Sequence, residues 1–247
     1  MSSIAGKRVW ITGGGTGIGA GSALLLAGRG AEVIVSGRRA NKLEEVVAQI
    51  TAKGGKASAV AVDMADAKAV EQAAADIGRV DILLASAGLN VPNRSLDKLG
   101  SGDWDKVVNV NLNGVYYPIH AVLPQMRARG DGLVMIVSSW AGRHVGRLTG
   151  AAYTATKHAV VALSETINCE EGGNGIRSTV IMPGEIATDI LKDRPVPPSQ
   201  AEMDRMLQVD DLAQTVRYVA EMPAHVCVNE ILISPTWNRF YQGFDEV

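Results

Sequence analysis

The sequence predicts an α/β fold, a doubly wound, Rossmann-like parallel sheet of seven strands with helices on both faces, in a single domain of residues 1–247. Three observations predict it. Short apolar runs alternate with helical segments, a glycine-rich turn follows the first run, and no segment has the composition of a linker. Uninterrupted alternation of this kind is typical of a parallel sheet covered on both sides.

The apolar runs are short and aliphatic, as buried parallel strands are, and the segments between them have helical periodicity. The predicted strands cover residues 9–12, 32–36, 57–62, 80–85, 133–137, 176–182 and 230–233. The predicted helices cover residues 20–30, 41–53, 66–78, 103–129, 152–171 and 210–221. Asp66 is suited to cap the third of these helices.

Two stretches fit this pattern less well. The helix predicted over 103–129 contains three asparagines and a glycine between positions 109 and 114. These are poor residues for a helix interior, so an interaction other than helix propensity is expected to hold them. Residues 189–209 look irregular and are long for a connector, so 185–209 is predicted to be a substrate lid.

Composition argues against several classes of function. The chain is 47% hydrophobic and has a formal net charge of -2 without a long basic run, which disfavours binding to nucleic acid or to a membrane surface. Cys169 and Cys227 stand in unrelated contexts, and no Cys/His cluster has zinc spacing, so neither a disulfide nor a metal site is predicted. With no signal-peptide pattern or long apolar span, the protein is expected to be soluble and cytoplasmic.

A glycine-rich turn follows the first predicted strand and reads Gly-Gly-Gly-Thr-Gly-Ile-Gly from Gly13 to Gly19. Glycine permits a tight turn and the close approach of a ligand. The helix that follows offers backbone N–H groups at its partially positive end, which suits a phosphate. Because a strand and a helix flank it, the turn predicts dinucleotide binding rather than a plain loop.

The second strand ends in Gly37, Arg38 and Arg39. A site for NAD(H) usually has an acidic residue here, bonded to the ribose 2′-hydroxyl, whereas guanidinium groups suit a 2′-phosphate. The arginines therefore predict NADP(H) over NAD(H). The alternative is that they only solvate the start of a helix.

Tyr153 and Lys157 are four residues apart in a predicted helix and so share one face. A neighbouring ammonium lowers the pKa of a phenol, and the pair then suits proton exchange with a substrate oxygen. A surface tyrosine beside a solvated lysine has the same spacing. Asp63, Ser86 and Ser139 fall at the carboxyl ends of predicted strands, where sheets of this kind bind ligands.

These motifs, in this order and spacing, closely resemble those of the short-chain dehydrogenase/reductase family over residues 7–235. The resemblance implies a nicotinamide cofactor, hydride transfer to or from a carbonyl or alcohol carbon, and a homodimer or homotetramer. It implies that Tyr153 exchanges the proton, Lys157 lowers the tyrosine pKa and holds the nicotinamide ribose, Ser139 bonds the substrate oxygen and Asn111 anchors a water. The cofactor-binding residues that it implies are Gly13, Gly15, Thr16, Gly17, Ile18, Gly19, Arg38, Arg39, Asp63, Met64, Ser86, Ala87, Gly88, Tyr153, Lys157, Pro183, Gly184, Ile186 and Thr188.

Two features depart from the family pattern. Ser86 stands where the family usually has asparagine, so support of the adenosine side is expected to differ. The spacing from Ser139 to Tyr153 is one residue longer than the common one, so the loop between them is expected to differ in shape. Ser138 is interpreted as structural, because Gly142 follows Ser139 by the three residues that the family pattern has.

The resemblance places the substrate pocket in three regions: after Gly88, before Tyr153 and after Gly184. The candidate lining residues in these regions are Asn90, Asn93, Trp140, His144, Val145, Glu185 and Ile190. A further hypothesis is that an anionic group of the substrate is attracted by Arg143, His144 and Arg147. A solvated loop is the preferred explanation of these three, since scattered charges are usually on the surface.

The tail over residues 237–247 is rich in aromatic side chains, which are Trp237, Phe240, Tyr241 and Phe244. Disordered tails seldom have this composition. The tail is therefore expected to dock, either over the pocket or on a neighbouring subunit.

The leading hypothesis is an NADP(H)-dependent carbonyl reductase or alcohol dehydrogenase with a small-molecule substrate. A 3-oxoacyl thioester, a small hydroxy acid and a polyol are all compatible with the pocket region. One alternative is an NAD-dependent alcohol or hydroxy-acid dehydrogenase. Another is a cofactor-binding regulator of the same fold that has lost turnover, and an epimerase or dehydratase of related fold fits less well.

Overall fold

The computed structural model describes residues 2–188, 191 and 196–242, with the side chains of Phe240 and Gln242 excepted. Within them, seven parallel strands form one sheet in the order β3-β2-β1-β4-β5-β6-β7. The strands are β1 (Arg8–Thr12), β2 (Glu32–Gly37), β3 (Lys56–Ala61), β4 (Ile82–Ala85), β5 (Gly132–Val137), β6 (Ile176–Pro183) and β7 (Glu230–Ile233). The predicted seven-stranded, Rossmann-like sheet is confirmed.

Helices cover both faces of the sheet. They are α1 (Gly17–Gly28), α2 (Ala40–Ala52), α3 (Ala67–Ile77), α4 (Ser101–Val108), α5 (Gly114–Arg129), α6 (Ala151–Glu171), α7 (Gln200–Met203), α8 (Val209–Ala220) and α9 (Arg239–Gln242). Helices α1, α2 and α8 share one hydrophobic core with the sheet, and α3, α5 and α6 share the other. Because side chains alternate along a strand, Val9 and Ile11 enter the first core while Trp10 enters the second.

The long helix predicted over 103–129 is interrupted by one π-helical turn, Asn109–Asn113. Asn111 is fully buried there. Its side-chain amide pairs with the backbone of Leu89, accepting from the N–H and donating to the carbonyl, both at 2.8 Å. This pairing with the loop after β4 is the interaction that keeps a poor helix former inside the helix, and π-turns of this kind are frequent at functional sites.

The expectation of an irregular chain over 189–209 is wrong for the part that forms α7. Ser199 begins this helix with a capping box, in which its hydroxyl accepts from the N–H of Glu202 and the Glu202 carboxylate accepts from the N–H of Ser199. The reciprocal bonds stabilise a very short helix. The lid prediction extends over residues 189–190 and 192–195, which lie outside the described residues.

Candidate active site

A cavity of about 330 Å³ lies where β1, β2, β4, β5 and β6 end. Parallel sheets bind ligands at this edge. Every cofactor-binding residue inferred from the sequence lines the cavity except Gly19, and so does Ser139. The structure therefore brings the two halves of the expected site, the glycine-rich turn and the Tyr153 helix, around one space.

The glycine-rich turn is packed too tightly for side chains. Gly13 has a φ of 67°, and a Cβ there would lie 2.8 Å from the Cα of Ala87. A Cβ on Gly19 would collide with the carbonyl oxygen of Gly13. Gly19 therefore allows the close packing of the turn but does not line the cavity itself. Thr16, the residue before α1, makes no side-chain cap to the helix. The first N–H groups of α1 thus lack a capping side chain, which fits an anion such as a pyrophosphate.

The cavity has a cationic end beside this turn. Arg38, Arg39 and Lys42 line it, and the Arg39 Nη2 atom donates to Thr16 Oγ1 at 3.1 Å. Lys42 was not inferred from the sequence, although its place one helical turn after Arg38 and Arg39 was a signal for it. On the opposite wall, Asp63 accepts from the N–H of Ala65 at 3.0 Å.

Tyr153 and Lys157 lie on one face of α6, with the Nζ atom of Lys157 5.5 Å from the centre of the Tyr153 ring. Lys157 is buried and donates to the carbonyl oxygen of Val137 at 2.8 Å. Burial lowers the pKa of Lys157 from 10.5 to about 8. A buried cation whose pKa lies above neutrality is therefore fixed beside the phenol.

The two serines after β5 have different surroundings. Ser138 is buried, and its hydroxyl donates to the carbonyl oxygen of Lys157 at 2.8 Å, while a Cβ on Gly142 would collide with it. Ser139 lines the cavity and accepts from the N–H of Ala141 at 3.2 Å, at the start of a short 3₁₀ turn. Both serines belong to the cavity lining, but the hydroxyl of Ser138 already donates to helix α6, whereas the bond from Ala141 leaves the proton of the Ser139 hydroxyl available.

Asn111 stands directly behind the cavity lining. A Cβ on Gly88 would lie 3.5 Å from Asn111 Oδ1 and 3.6 Å from Lys157 Nζ. Gly88 therefore keeps open a narrow space beside both the asparagine and the lysine. Ser86, on the same loop, lines the cavity as the sequence implies.

The cavity lining agrees only in part with the set of substrate-pocket residues expected from the sequence. Asn90, Trp140 and Glu185 line it, whereas Asn93, His144 and Val145 do not, and Ile190 lies outside the described residues. Lining residues that were not inferred from the sequence are Arg94, Leu148, Thr149 and Leu191. The first three fall in the regions after Gly88 and before Tyr153, so both regions contribute to the cavity through residues other than the expected ones.

The residues considered for an anionic group do not reach the cavity. Arg143 pairs with Glu230 on the surface, His144 stacks on Trp140 with ring centres 4.6 Å apart, and Arg147 is not among the lining residues. One aromatic side chain of the C-terminal tail, that of Tyr241, contacts the cavity lining at Trp140. The Tyr241 ring meets Trp140 edge-on at 5.4 Å, and Phe240 and Phe244 lie outside the described side chains.

The part of the chain that the structure describes contains neither a metal-binding cluster nor a membrane-spanning helix. No cluster of three or more His, Cys, Asp or Glu side chains there is arranged to hold a metal ion. None of the helices described has both the length and the apolar character that a membrane crossing requires.

Comparison with known proteins assigns the family. The family model for short chain dehydrogenase matches residues 7–197, and the chain belongs to this family. It is 35% identical over 247 residues to the uncharacterized oxidoreductase Lmo0432 of Listeria monocytogenes, covering 95% of this chain and 98% of that protein. It is 34% identical over 223 residues to a cyclohexanol dehydrogenase of Acinetobacter sp., covering 86% and 87%. It is also 36% identical over 245 residues to glycine betaine reductase ATRR of Emericella nidulans, where 94% of this chain spans only 19% of that protein.

Solved structures agree with the fold. A metagenomic short-chain oxidoreductase in complex with NADP superposes with a TM-score of 0.82 at 30% identity, covering 96% of this chain and all of that chain (100%). An alcohol dehydrogenase from the archaeon Thermococcus sibiricus, complexed with 5-hydroxy-NADP, has a TM-score of 0.85 at 26% identity and covers 94% of this chain and 98% of that one.

Proposed function

We propose that this protein is an NADP(H)-dependent oxidoreductase that transfers a hydride between the nicotinamide and a carbonyl or secondary alcohol. One observation carries the proposal: a single cavity has the uncapped start of α1 at one end and Tyr153, Lys157 and Ser139 at the other. The nicotinamide, when bound, supplies the hydride chemistry. The protein's own residues bind, orient and exchange the proton.

Tyr153 is proposed to give the proton to the substrate oxygen in reduction and to take it in oxidation. A phenol needs help to lose its proton near neutrality. Lys157, with a pKa of about 8, is mainly protonated at pH 7 and places its positive charge 5.5 Å from the ring centre, which stabilises the phenolate. The bond from Lys157 to the Val137 carbonyl fixes where that charge lies.

Ser139 is proposed to donate a hydrogen bond to the substrate oxygen and so to stabilise negative charge that develops there. A hydroxyl has one proton and two lone pairs. The bond from the Ala141 N–H uses a lone pair of Ser139 and orients the hydroxyl while its proton stays available. Asn111, held by Leu89 and next to Lys157 across Gly88, is proposed to hold the water that relays the proton to solvent.

The preference for NADP(H) over NAD(H) rests on the cationic end of the cavity. Arg38, Arg39 and Lys42 lie together beside the glycine-rich turn, where the 2′-phosphate of a bound cofactor is expected. The two structural relatives solved with NADP and with 5-hydroxy-NADP support the same preference.

An uncharged ketone or secondary alcohol is the proposed substrate class. The substrate end of the cavity includes Trp140, Leu148 and Leu191. Two charged residues of its lining are already engaged, Arg94 with the carbonyl oxygens of Val91 and Leu148 and Glu185 with Arg239. The similarity to a cyclohexanol dehydrogenase supports this class. We also propose a homodimer or homotetramer, because Trp104 and Tyr116 are exposed on the helices that the family uses for subunit contact.

The test is turnover of a panel of cyclic and aliphatic ketones with NADPH and, separately, with NADH. The wild type is expected to reduce at least one ketone with NADPH, and the Tyr153→Phe variant is expected to lose that turnover while still binding NADPH. Binding of NADPH without turnover of any compound in either direction would instead support the non-catalytic regulator.

A further inference from the structure

Arg239, at the start of α9, joins two acidic residues that are far apart in the sequence. Its Nε and Nη2 atoms donate to both oxygens of the Glu185 carboxylate, at 2.8 and 2.6 Å. Its Nη1 atom donates to Glu202 in α7 at 3.0 Å. The side chain of Arg239 is 18% exposed and that of Glu185 is 3% exposed. This is a mostly buried, bidentate ion pair with an additional carboxylate, the geometry in which arginine holds a carboxylate most firmly.

Glu185 forms part of the cavity wall. It follows Pro183 and Gly184 directly, and it lines the cavity together with Ser139 and Tyr153. A change in the position of its carboxylate therefore changes the space into which a substrate carbonyl has to fit.

The same guanidinium also binds helix α7 through Glu202. Glu202 lies in α7, and the backbone nearby pairs with the chain after β6, through Leu207 N–H to Glu185 O at 3.0 Å and Ala187 N–H to Leu207 O at 2.9 Å. Tyr241, two residues after Arg239, packs edge-on against Trp140, which follows Ser139. The C-terminal segment thus contacts the cavity wall at two residues, Glu185 and Trp140.

We propose that Arg239 is a positioning residue, which holds Glu185 in the wall at the substrate end of the cavity, ties this wall to α7, and thereby sets the KM for the carbonyl substrate. The inference rests on the proposed function only in assigning this end of the cavity to the substrate. Arg239 itself lies outside the cavity lining and acts through Glu185. Removing one member of a buried ion pair is costly, whereas replacing both members with neutral groups costs much less.

The experiment measures kcat and KM for the best ketone with saturating NADPH in Arg239→Met and in the double variant Glu185→Gln/Arg239→Met. Arg143→Met is the matched control, because it removes an arginine from the exposed pair with Glu230. Arg239→Met is expected to raise KM about tenfold and to change kcat less than about twofold, as for the loss of a binding interaction outside the chemical step. The double variant removes the uncompensated charge of the carboxylate but leaves the wall unheld, so its KM is expected to stay within about threefold of the KM of Arg239→Met.

A KM in Arg239→Met equal to that of Arg143→Met overturns the inference, and so does a double variant whose KM returns to that of the wild type, because the uncompensated charge alone would then explain the effect. If Arg239→Met does not fold, the KM of Arg239→Lys is measured instead, because lysine keeps the positive charge but cannot make the bidentate bond. A KM equal to that of the wild type overturns the inference. If the wild type turns over no compound, the proposed function has failed, and the positioning role of Arg239 is tested by hydrogen exchange instead. Exchange over residues 196–208 then has to be faster in the Arg239 variant than in Arg143→Met, and equal exchange overturns the inference.

Discussion

The Nζ atom of Lys157 lies 2.8 Å from the carbonyl oxygen of Val137, the last residue of β5. This bond ties helix α6 to the strand that leads into Ser138 and Ser139. The lysine is nevertheless almost completely enclosed, with 4% of its surface exposed. Its charge is thus held in place at a cost in stability, because burial disfavours an ammonium.

The first prediction concerns the pH dependence of that cost. Burial lowers the pKa of Lys157 from 10.5 to about 8, so between these values the unfolded chain binds a proton that the folded chain does not. Stability therefore rises with pH through this window, by up to about 3 kcal/mol, and is independent of this group below about pH 8. Urea unfolding of Lys157→Met against its parent checks this, with both in a Tyr153→Phe background so that the phenol does not titrate. A stability difference that stays constant from pH 7 to 10.5 would contradict it.

The second prediction concerns cofactor choice. Arg38→Ala and Arg39→Ala are each expected to weaken NADPH binding about tenfold or more, with little effect on NADH, because a charge-assisted phosphate contact is lost. Fluorescence titration of both cofactors into each variant measures this. Lys53→Ala, at the far end of α2 and outside the cavity lining, is the control. Equal loss for NADPH and NADH, or tighter binding of NADH by the wild type, would show that the arginines do not select the phosphate.

The third prediction separates two glycines of the same helix, α1. A Cβ on Gly19 would collide with the Gly13 carbonyl, whereas one on Gly28 would meet nothing within 4 Å. Gly19→Ala is expected to distort the turn and abolish measurable cofactor binding. Gly28→Ala is expected to keep binding intact and to raise stability by about 0.5–1 kcal/mol, since alanine is the better helix former. Calorimetry measures cofactor binding and urea unfolding measures the stability of both variants. Normal cofactor affinity in Gly19→Ala would contradict the assignment of the glycine-rich turn to cofactor binding.

The fourth prediction concerns the ion pair between Arg127 and Glu171, which joins the C-terminal ends of α5 and α6. Arg127 foremost, and then Asn174, hydrogen-bond the Glu171 carboxylate and lower its pKa from 4.5 to about 2. A lowered carboxylate pKa contributes stability above the unfolded value, and this contribution is lost as the pH falls toward about 2. Arg127→Met is therefore expected to destabilise the protein at pH 7 and progressively less below pH 5.

Thermal unfolding across this range measures the effect of Arg127→Met. Arg143→Met, which removes an arginine from a more exposed pair, is the control and is expected to have little effect at any pH. A loss of stability in Arg127→Met that is the same at pH 3 as at pH 7 would exclude the ion pair as its source.

Local patterns were sufficient to predict the sheet and the glycine-rich turn, because each strand and its following turn are encoded by a few consecutive residues. Patterns in sequence were insufficient where the partner is distant. Helix propensity did not explain the position of Asn111, which depends on its two hydrogen bonds to Leu89. Arg239 and Glu185 are separated by 54 positions, and no periodicity relates them. The cavity-lining role of Lys42 depends on where α2 begins, and helix boundaries are the least certain part of such a prediction.

The short elements were missed for a different reason. Helix α7 has four residues, too few for a periodic pattern, although Ser199 and Glu202 have the spacing of a capping box. Helix α9 also has four residues. Both elements are linked to the cavity wall through the bonds of Arg239 with Glu185 and Glu202, so this part of the structure has the weakest sequence signal.

The most direct test of the central claim is a single-turnover reaction with NADPH in which both hydrogens of the transferring ring carbon are replaced by deuterium. Wild-type protein, mixed with stoichiometric NADPH and an excess of the best ketone, is expected to place the deuterium on the carbonyl carbon of the product. Tyr153→Phe is expected to bind the same NADPH and to transfer the label at least about a hundredfold more slowly, the order expected for loss of a general acid. Transfer at the wild-type rate in Tyr153→Phe, or no labelled product from the wild type, would contradict the proposed mechanism.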